Sequence, residues 1–149
     1  MDSLVTIDAP APTMEQVDAI EAMILAEPQI EIVPVHRFAK GLYAREITIP
    51  AGSLITGKLH TTQHINVISQ GRISVYSPGE PVRHITAPYT FIAEPGTRRV
   101  AYTHEQTVWT TFHATDETDI DRLESTLIAP HTNPFVLSPV ESVCLSSPQ

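Results

Sequence analysis

The sequence is poor in cysteine, in positive charge and in long hydrophobic runs, and each shortage excludes a class of protein. The single cysteine, Cys144, permits no internal disulfide, so nothing implies an oxidising compartment. The sequence has nine Lys and Arg residues and 17 Asp and Glu residues. The resulting net charge of −8 disfavours a nucleic-acid polymer or an anionic membrane surface as partner. No apolar run approaches about 18 residues and the first residues lack a basic-then-apolar pattern, so we expect no membrane span, no signal peptide and a cytoplasmic location.

What the sequence does contain is typical of one small globular domain. Its 149 residues are 42% hydrophobic and 17% charged, enough for one core but not for two domains. Thirteen prolines and little helical periodicity favour short strands and turns. We predict an N-terminal arm and helix over 1–29, a β-barrel over 30–114, and a short helix with an extended Pro/Ser-rich tail over 115–149.

The predicted elements follow from periodicity and turn residues. Thr13 and Gln16 have the spacing of a capping box, so a helix is predicted over 14–26 that ends before Pro28, after an irregular segment over 1–12. A second, acidic helix is predicted over 116–124. Strands are predicted at 30–35, 42–49, 54–60, 64–70, 72–77, 91–94, 98–104 and 107–113. Short strands at this spacing predict an all-β sandwich or barrel.

Polar side chains gather on one face of two predicted strands. Because strand side chains alternate, Lys58, His60, His64 and Asn66 should share a face. Polar and charged groups on an inward face are costly unless they are used, so this cluster predicts a functional site. Gly71 follows His64 by seven residues and predicts a tight turn.

These residues resemble the first of the two motifs of the cupin superfamily, and the segment Glu94-Pro95-Gly96-Thr97-Arg98-Arg99 resembles the second. The resemblance implies a single cupin-type (jelly-roll) β-barrel with a ligand or metal in its mouth, flanked by a short N-terminal helix and a short C-terminal helix and tail. Typical cupins bind a metal through three histidines and a glutamate. The corresponding positions here hold Lys58, His60, His64 and Arg99, so only His60 matches.

The departures from the motif favour an anion over a metal. Protonated Lys58 and Arg99 would add positive charge where a cation should bind, and Arg is not a metal ligand. Both would instead hold carboxylate or phosphate oxygens. Trp109 and His113 share strand parity, so Trp109 is placed to stack on a planar ligand. The predicted ligand-binding residues are therefore Lys58, His60, His64, Asn66, Arg99, Trp109 and His113, with no metal or other cofactor favoured and no catalytic residue identified.

Other polar residues receive weaker expectations. Arg98 points away from Arg99 in a regular strand and is predicted to be exposed. Arg45 is predicted at the surface, Tyr43 is placed within reach of the barrel mouth, and His104 has the wrong parity for the cluster. Solvated positions near turns or in the tail are predicted for His36, His84 and His131.

The segment from His36 to Glu124 is also similar to small cupin-like proteins of tailed bacteriophages and prophages, in stretches such as Gly57-Lys58-Leu59-His60 and Trp109-Thr110-Thr111-Phe112-His113. That resemblance implies a viral origin and no particular reaction. We therefore predict a homo-oligomeric binding protein for a small anionic molecule, with a nucleotide-type signal of a bacterial defence system as one candidate.

Two alternatives stay open. One is a metal-dependent dioxygenase or an isomerase or epimerase, with a divalent transition metal on His60, His64 and His113. The other is a structural protein of a virion or its assembly, in which the barrel is only a scaffold.

Overall fold

Two antiparallel sheets and two helices form the part of the chain that the structure describes. The computed structural model describes the backbone of residues 4–7 and residues 10–57 and 59–128. In chain order the elements are β1 (Leu4–Ile7), α1 (Met14–Ala26), β2 (Val35–Ala39), β3 (Leu42–Ile49), β4 (Leu54–Thr56), β5 (His64–Gln70), β6 (Arg72–Tyr76), β7 (Arg83–Thr86), β8 (Tyr89–Ala93), β9 (Val100–Thr103), β10 (Thr107–Ala114) and α2 (Ile120–Leu127). Neither helix has the length and apolar composition needed to cross a membrane.

The sheets have the connectivity of a jelly roll. The first sheet has the order β1-β7-β6-β9-β4 and the second the order β2-β3-β10-β5-β8, so the chain passes repeatedly from one sheet to the other. Inward side chains of both sheets form one apolar core, which includes Ile55, Ile73 and Ile85 of the first sheet and Ile47, Ile68 and Trp109 of the second. The predicted all-β jelly-roll fold class is therefore confirmed.

Helix α1 begins and ends where its sequence predicts. The Gln16 backbone N–H donates to Thr13 Oγ1 at 3.1 Å, and the Thr13 N–H donates to Gln16 Oε1 at 2.9 Å, which completes the capping box. Val17 and Ile24 are buried against the core, and the helix packs on β4 and β9. Its other buried residues are the carboxylates Asp18 and Glu21.

Arg98 lies beneath this helix, and its predicted exposure is wrong. Its Nη2 lies 2.9 Å from Asp18 Oδ1 and also contacts Glu21 Oε1, and each of the three side chains exposes 8% or less of its area. Thr56 Oγ1 donates to Glu21 Oε2 at 2.6 Å, which links the network to β4. The local sequence predicts a strand side chain that points away from Arg99, but only the docking of α1 buries it.

Several strand boundaries also differ from prediction. Leu4–Ile7, predicted irregular, forms β1, because it pairs with β7, a strand that the sequence pattern does not predict. The strand predicted over 30–35 is displaced to Val35–Ala39, where it pairs with β3. β4 ends at Thr56 rather than at residue 60, and β8 and β9 cover Tyr89–Ala93 and Val100–Thr103. Helix α2 begins only at Ile120, because Asp119 is its N-cap and accepts from the Arg122 N–H.

Gly71 makes the predicted turn between β5 and β6. Its φ is +99°, and an added Cβ would lie 2.3 Å from the Gln106 carbonyl oxygen and 2.8 Å from Thr107 Cα. Both the backbone conformation and this close approach require glycine.

Replacing Arg98 with methionine should destabilise the fold strongly, since two buried carboxylates would lose the cation between them. We expect a loss of about 3–5 kcal/mol in the free energy of unfolding, measured by urea denaturation. Arg37→Met is the matched control, because Arg37 pairs with Glu46 at 2.8 Å on an exposed surface and should contribute at most about 1 kcal/mol. Equal losses in the two variants would show that the buried network does not anchor α1.

Candidate functional site

Three histidines from separate segments converge at one end of the core. His64 and His113 are inward residues of β5 and β10. These two strands pair with Phe112 opposite Ile65, and this register places the two histidines side by side. His60 comes from the loop after β4, where it forms an isolated bridge with Ile128. The ring centroids are 4.3 Å apart for His60 and His64, and each is 4.9 Å from that of His113.

One ring nitrogen from each of the three lies within 4.8 Å of the others, which suits a single metal ion. His64 Nδ1 donates to the Thr62 carbonyl oxygen at 2.9 Å, so its Nε2 carries the free lone pair. Thr62 Oγ1 lies 3.4 Å from His113 Nδ1. Thr62 therefore orients two of the rings, as partners outside a metal's ligand set do.

The three imidazoles are held in the neutral form that a metal requires. Burial, helped by the neighbouring histidines and Arg99, lowers the pKa of His60 to about 2. Burial likewise lowers the pKa of His113 to about 4, with smaller contributions from His64 and Arg45. The pKa of His64 is also lowered by burial, although its hydrogen bond to Thr62 opposes the shift. All three are therefore unprotonated at neutral pH.

A pocket of about 80 Å³ opens beside the histidines. Asn66 lines it and is 1% exposed, and its Oδ1 accepts hydrogen bonds from Trp109 Nε1 and Thr111 Oγ1, both at 2.9 Å. Asn66 Nδ2 and His60 Nδ1 are buried and have no hydrogen-bond partner among the described residues. Buried polar atoms are rarely left unsatisfied, so these two mark where a ligand or metal would contact the pocket.

Two guanidinium groups make the pocket positive. The Arg99 Cζ lies 5.3 Å from the centroid of the Phe91 ring, and the side chain lines the pocket. Burial lowers the pKa of Arg99 to about 10, which leaves it charged at neutral pH. Arg45, predicted at the surface, also lines the pocket, because it lies on the same inward face of β3 as Tyr43 and Ile47. Among the described lining residues the one carboxylate is Glu124, on α2.

Helix α2 forms one wall of the pocket mouth. Leu123 and Leu127 pack on Tyr43, whose pKa burial raises to about 12. The Thr61 N–H donates to the Leu127 carbonyl at 2.8 Å, and Thr61 Oγ1 donates to the Thr126 carbonyl at 2.8 Å. These bonds attach the loop that carries His60 to α2.

The structure thus assembles six of the seven predicted ligand-binding residues around one pocket, namely His60, His64, Asn66, Arg99, Trp109 and His113. Lys58 lies outside the described residues, as do His131, Cys144 and the whole tail over 129–149. The strand-parity argument holds for His64 and Asn66, but His60 reaches the cluster through a loop. His104 lies elsewhere, with its Nε2 2.6 Å from Ser74 Oγ.

Sequence reasoning misplaced or missed several residues at or near this site. Arg45 is predicted at the surface but lines the pocket. The sequence predicts neither the hydrogen bonding of Thr62 nor the packing of α2 at the pocket mouth. His36, predicted to be solvated, is hydrogen-bonded to the Tyr43 hydroxyl at 2.6 Å, and His84 Nδ1 lies 2.6 Å from Ser74 Oγ. The inward parity of Arg45 was a usable signal, whereas the position of α2 depends on tertiary packing.

No family model matches the chain, and no curated protein does. Solved structures do resemble it. An uncharacterized conserved protein with a double-stranded β-helix domain from Klebsiella pneumoniae is 17% identical, with a TM-score of 0.50 over 60% of this chain and 81% of that one. Ectoine synthase from P. lautus is 12% identical, with a TM-score of 0.54 over 71% of this chain and 82% of that one.

A cupin-2 domain protein from Shewanella frigidimarina also matches, at 7% identity and a TM-score of 0.46, over 64% of this chain and 92% of that one. At such identities a structural likeness shows the fold and no function. The topology and the two structures with TM-scores of 0.50 and 0.54 together establish that the chain has the double-stranded β-helix, jelly-roll fold.

Proposed function

We propose that this protein binds one divalent transition metal through His60, His64 and His113 and holds a small anionic ligand beside it. The observation that carries the proposal is the convergence of three neutral imidazoles, each with a nitrogen within 4.8 Å of the others, on one pocket. Imidazole suits zinc, copper, iron and nickel, and three protein ligands leave positions open for a further ligand.

The residues present fit such a metal in three respects. Burial keeps the imidazoles unprotonated, so no proton competes for the lone pairs at neutral pH. Thr62 determines the His64 tautomer, and the buried His60 Nδ1 has no partner among the described residues. A bound divalent metal would act there as a Lewis acid toward an oxygen of the ligand.

The charges around the cluster favour an anionic ligand. A divalent metal next to Arg45 and Arg99, with Glu124 as the one carboxylate among the described lining residues, would leave a strongly positive pocket. A carboxylate or phosphate ligand would neutralise it and could accept hydrogen bonds from Arg99 and from Asn66 Nδ2.

The second candidate function is binding of the anion without a metal, which the charge of Arg99 at the pocket favours by itself. It differs from the first in one measurable property, since its ligand affinity would not depend on metal loading. The viral origin and the nucleotide-type ligand stay predictions from the sequence resemblance, and so does a metal-dependent dioxygenase or isomerase activity.

Removing one histidine of the cluster should weaken metal binding strongly. We expect the protein to bind one Zn²⁺ per chain in native mass spectrometry, and His113→Ala to weaken Zn²⁺ affinity by at least roughly 100-fold, since it deletes a ligand rather than a partner of a ligand. His104→Ala is the control, because His104 is exposed and bonded to Ser74 away from the pocket. Equal zinc affinity in both variants would rule out the three-histidine site.

Removing the Arg99 charge should weaken anion binding and leave metal content unchanged. Loss of one charge-assisted hydrogen bond predicts roughly a 10- to 150-fold rise in the Kd for inorganic phosphate, measured by calorimetry on the zinc-loaded protein with Arg99→Met. Arg122→Met serves as the control, since Arg122 is 74% exposed on α2. Equal phosphate affinity with and without zinc in the wild-type protein would favour the metal-free alternative.

The metal-free protein should lose stability as the pH falls below about 6.5. The folded state lowers the pKa of His60 to about 2 and of His113 to about 4, so in this range the unfolded chain binds protons that the folded chain does not. Each histidine then lowers the free energy of unfolding by up to about 1.4 kcal/mol per pH unit, and the His113 contribution levels off near pH 4. Urea denaturation of His113→Gln should show a shallower pH dependence than the wild type, and an identical slope would contradict burial as the cause.

A further inference from the structure

Helix α2 is held to the barrel by a small set of contacts of its own. Leu123 and Leu127 form a hydrophobic cluster with Tyr43, with Ile120 packed against it, and this cluster is separate from the main core. A helix of eight residues is not stable alone in water, because its nucleation is unfavourable and few hydrogen bonds follow. The helical state of α2 therefore depends on its docking to the barrel.

The loop that carries His60 forms the second part of this attachment. The last carbonyl groups of a helix have no partner within the helix. Two of these groups, the carbonyls of Thr126 and Leu127, accept hydrogen bonds at 2.8 Å from the Oγ1 and the backbone N–H of Thr61. His60 also forms a β-bridge with Ile128, directly after α2. The loop therefore satisfies the C-terminal end of the helix.

The same loop arranges the three histidines. The carbonyl oxygen of Thr62 accepts from His64 Nδ1 at 2.9 Å, and its Oγ1 lies 3.4 Å from His113 Nδ1. His64 and His113 are also fixed by their paired strands, whereas His60 lies outside the strands. On its other side the loop is anchored by the Gly96 N–H, which donates to the His60 carbonyl at 2.8 Å. The position of His60 thus depends on two anchors, α2 and the loop that follows β8.

The pocket is closed on one side by α2 itself. Leu123, Glu124 and Leu127 line it beside the histidines. Docking of α2 therefore forms the pocket wall and holds His60 in place at the same time. We propose that docking of α2 and metal binding at the three histidines are coupled, with Thr61 and Leu123 as positioning residues that act through His60. This inference rests on the proposed metal function, and it assigns part of the metal affinity to a helix that supplies no metal ligand.

Coupling of this kind is reciprocal. A metal that needs His60 in place stabilises the docked helix, and a less stable docked helix lowers the apparent metal affinity. Zinc should therefore slow amide hydrogen exchange over Ile120–Leu127 by at least roughly 10-fold more than over α1, which packs on β4 and β9. Equal slowing of exchange in the two helices would contradict the coupling.

The variant Leu123→Ala tests the coupling in the other direction. Leu123 is 3% exposed, so removing its side chain should weaken docking of α2. We expect the Kd for Zn²⁺ to rise by at least roughly 10-fold, measured by competition with a chromogenic chelator. Ile24→Ala on α1 is the matched control, because Ile24 is buried to a similar extent, at 4% exposed, and packs on the main core. It should lower the stability of the fold and leave the zinc affinity unchanged.

A second, milder variant covers the case in which Leu123→Ala fails to fold. Thr61 is exposed, and Thr61→Val deletes only the hydrogen bond from its Oγ1 to the Thr126 carbonyl. Loss of one such bond predicts roughly a 2- to 10-fold rise in the Kd for Zn²⁺. Thr61→Ser keeps the hydroxyl and should restore the wild-type affinity.

A rise in the zinc Kd in Leu123→Ala and Thr61→Val that is absent in Ile24→Ala and Thr61→Ser supports the coupling. Zinc binding that His113→Ala weakens but that Leu123→Ala and Thr61→Val leave unchanged would overturn the coupling and keep the metal site. A wild-type protein that binds no zinc would overturn both proposals.

Discussion

Burial of three imidazoles in their neutral form is the constraint on which the site depends. A histidine on an inward strand face normally costs stability unless its polar atoms are satisfied. Here Thr62 satisfies one nitrogen of His64, and the packing of β5 beside β10 places His113 next to it. The same burial that makes protonation unfavourable makes the nitrogens available to a metal, so the energetic cost and the proposed function have one physical origin.

Two adjacent arginines, Arg98 and Arg99, show how the short segment that leads into β9 serves both structure and site. Arg98 faces α1, where Asp18 and Glu21 neutralise it. Arg99 lines the pocket with its Cζ 5.3 Å from the centroid of the Phe91 ring, and the carboxylate of Glu80 acts on its charge, raising its pKa against the larger lowering by burial. A buried cation that is matched by carboxylates anchors a helix, whereas one left over an aromatic ring retains its attraction for an external anion. The two roles follow from the different directions of the two neighbouring side chains, one toward α1 and the other toward the pocket.

The two faces of β5 and β10 differ in polarity beside the pocket. Inward positions of β5 and β10 carry the polar groups His64, Asn66 and His113, whereas their outward neighbours Ile65 and Phe112 are apolar. This inverts the usual arrangement of an antiparallel sheet only beside the pocket, since Ile68 and Trp109 on the same strands face the apolar core. Inward polar groups of this kind are stable where a ligand satisfies them, as the proposed metal site requires.

The sequence by itself determined the capped helix α1, the turn at Gly71, the all-β class and the shared face of His64 and Asn66, because capping, positive φ and strand alternation are local properties. The jelly-roll topology and the pocket position of Arg99 are implied only by the resemblance to the cupin motifs. The sequence pattern misjudged Arg98, Arg45 and the strand over 30–35, and it assigned His60 to a strand that ends at Thr56. Only the tertiary structure decided that α1 buries Arg98, that a loop held by α2 brings His60 to His64, and that the three rings share a point. Those outcomes depend on contacts between segments far apart in the chain, which no local pattern encodes.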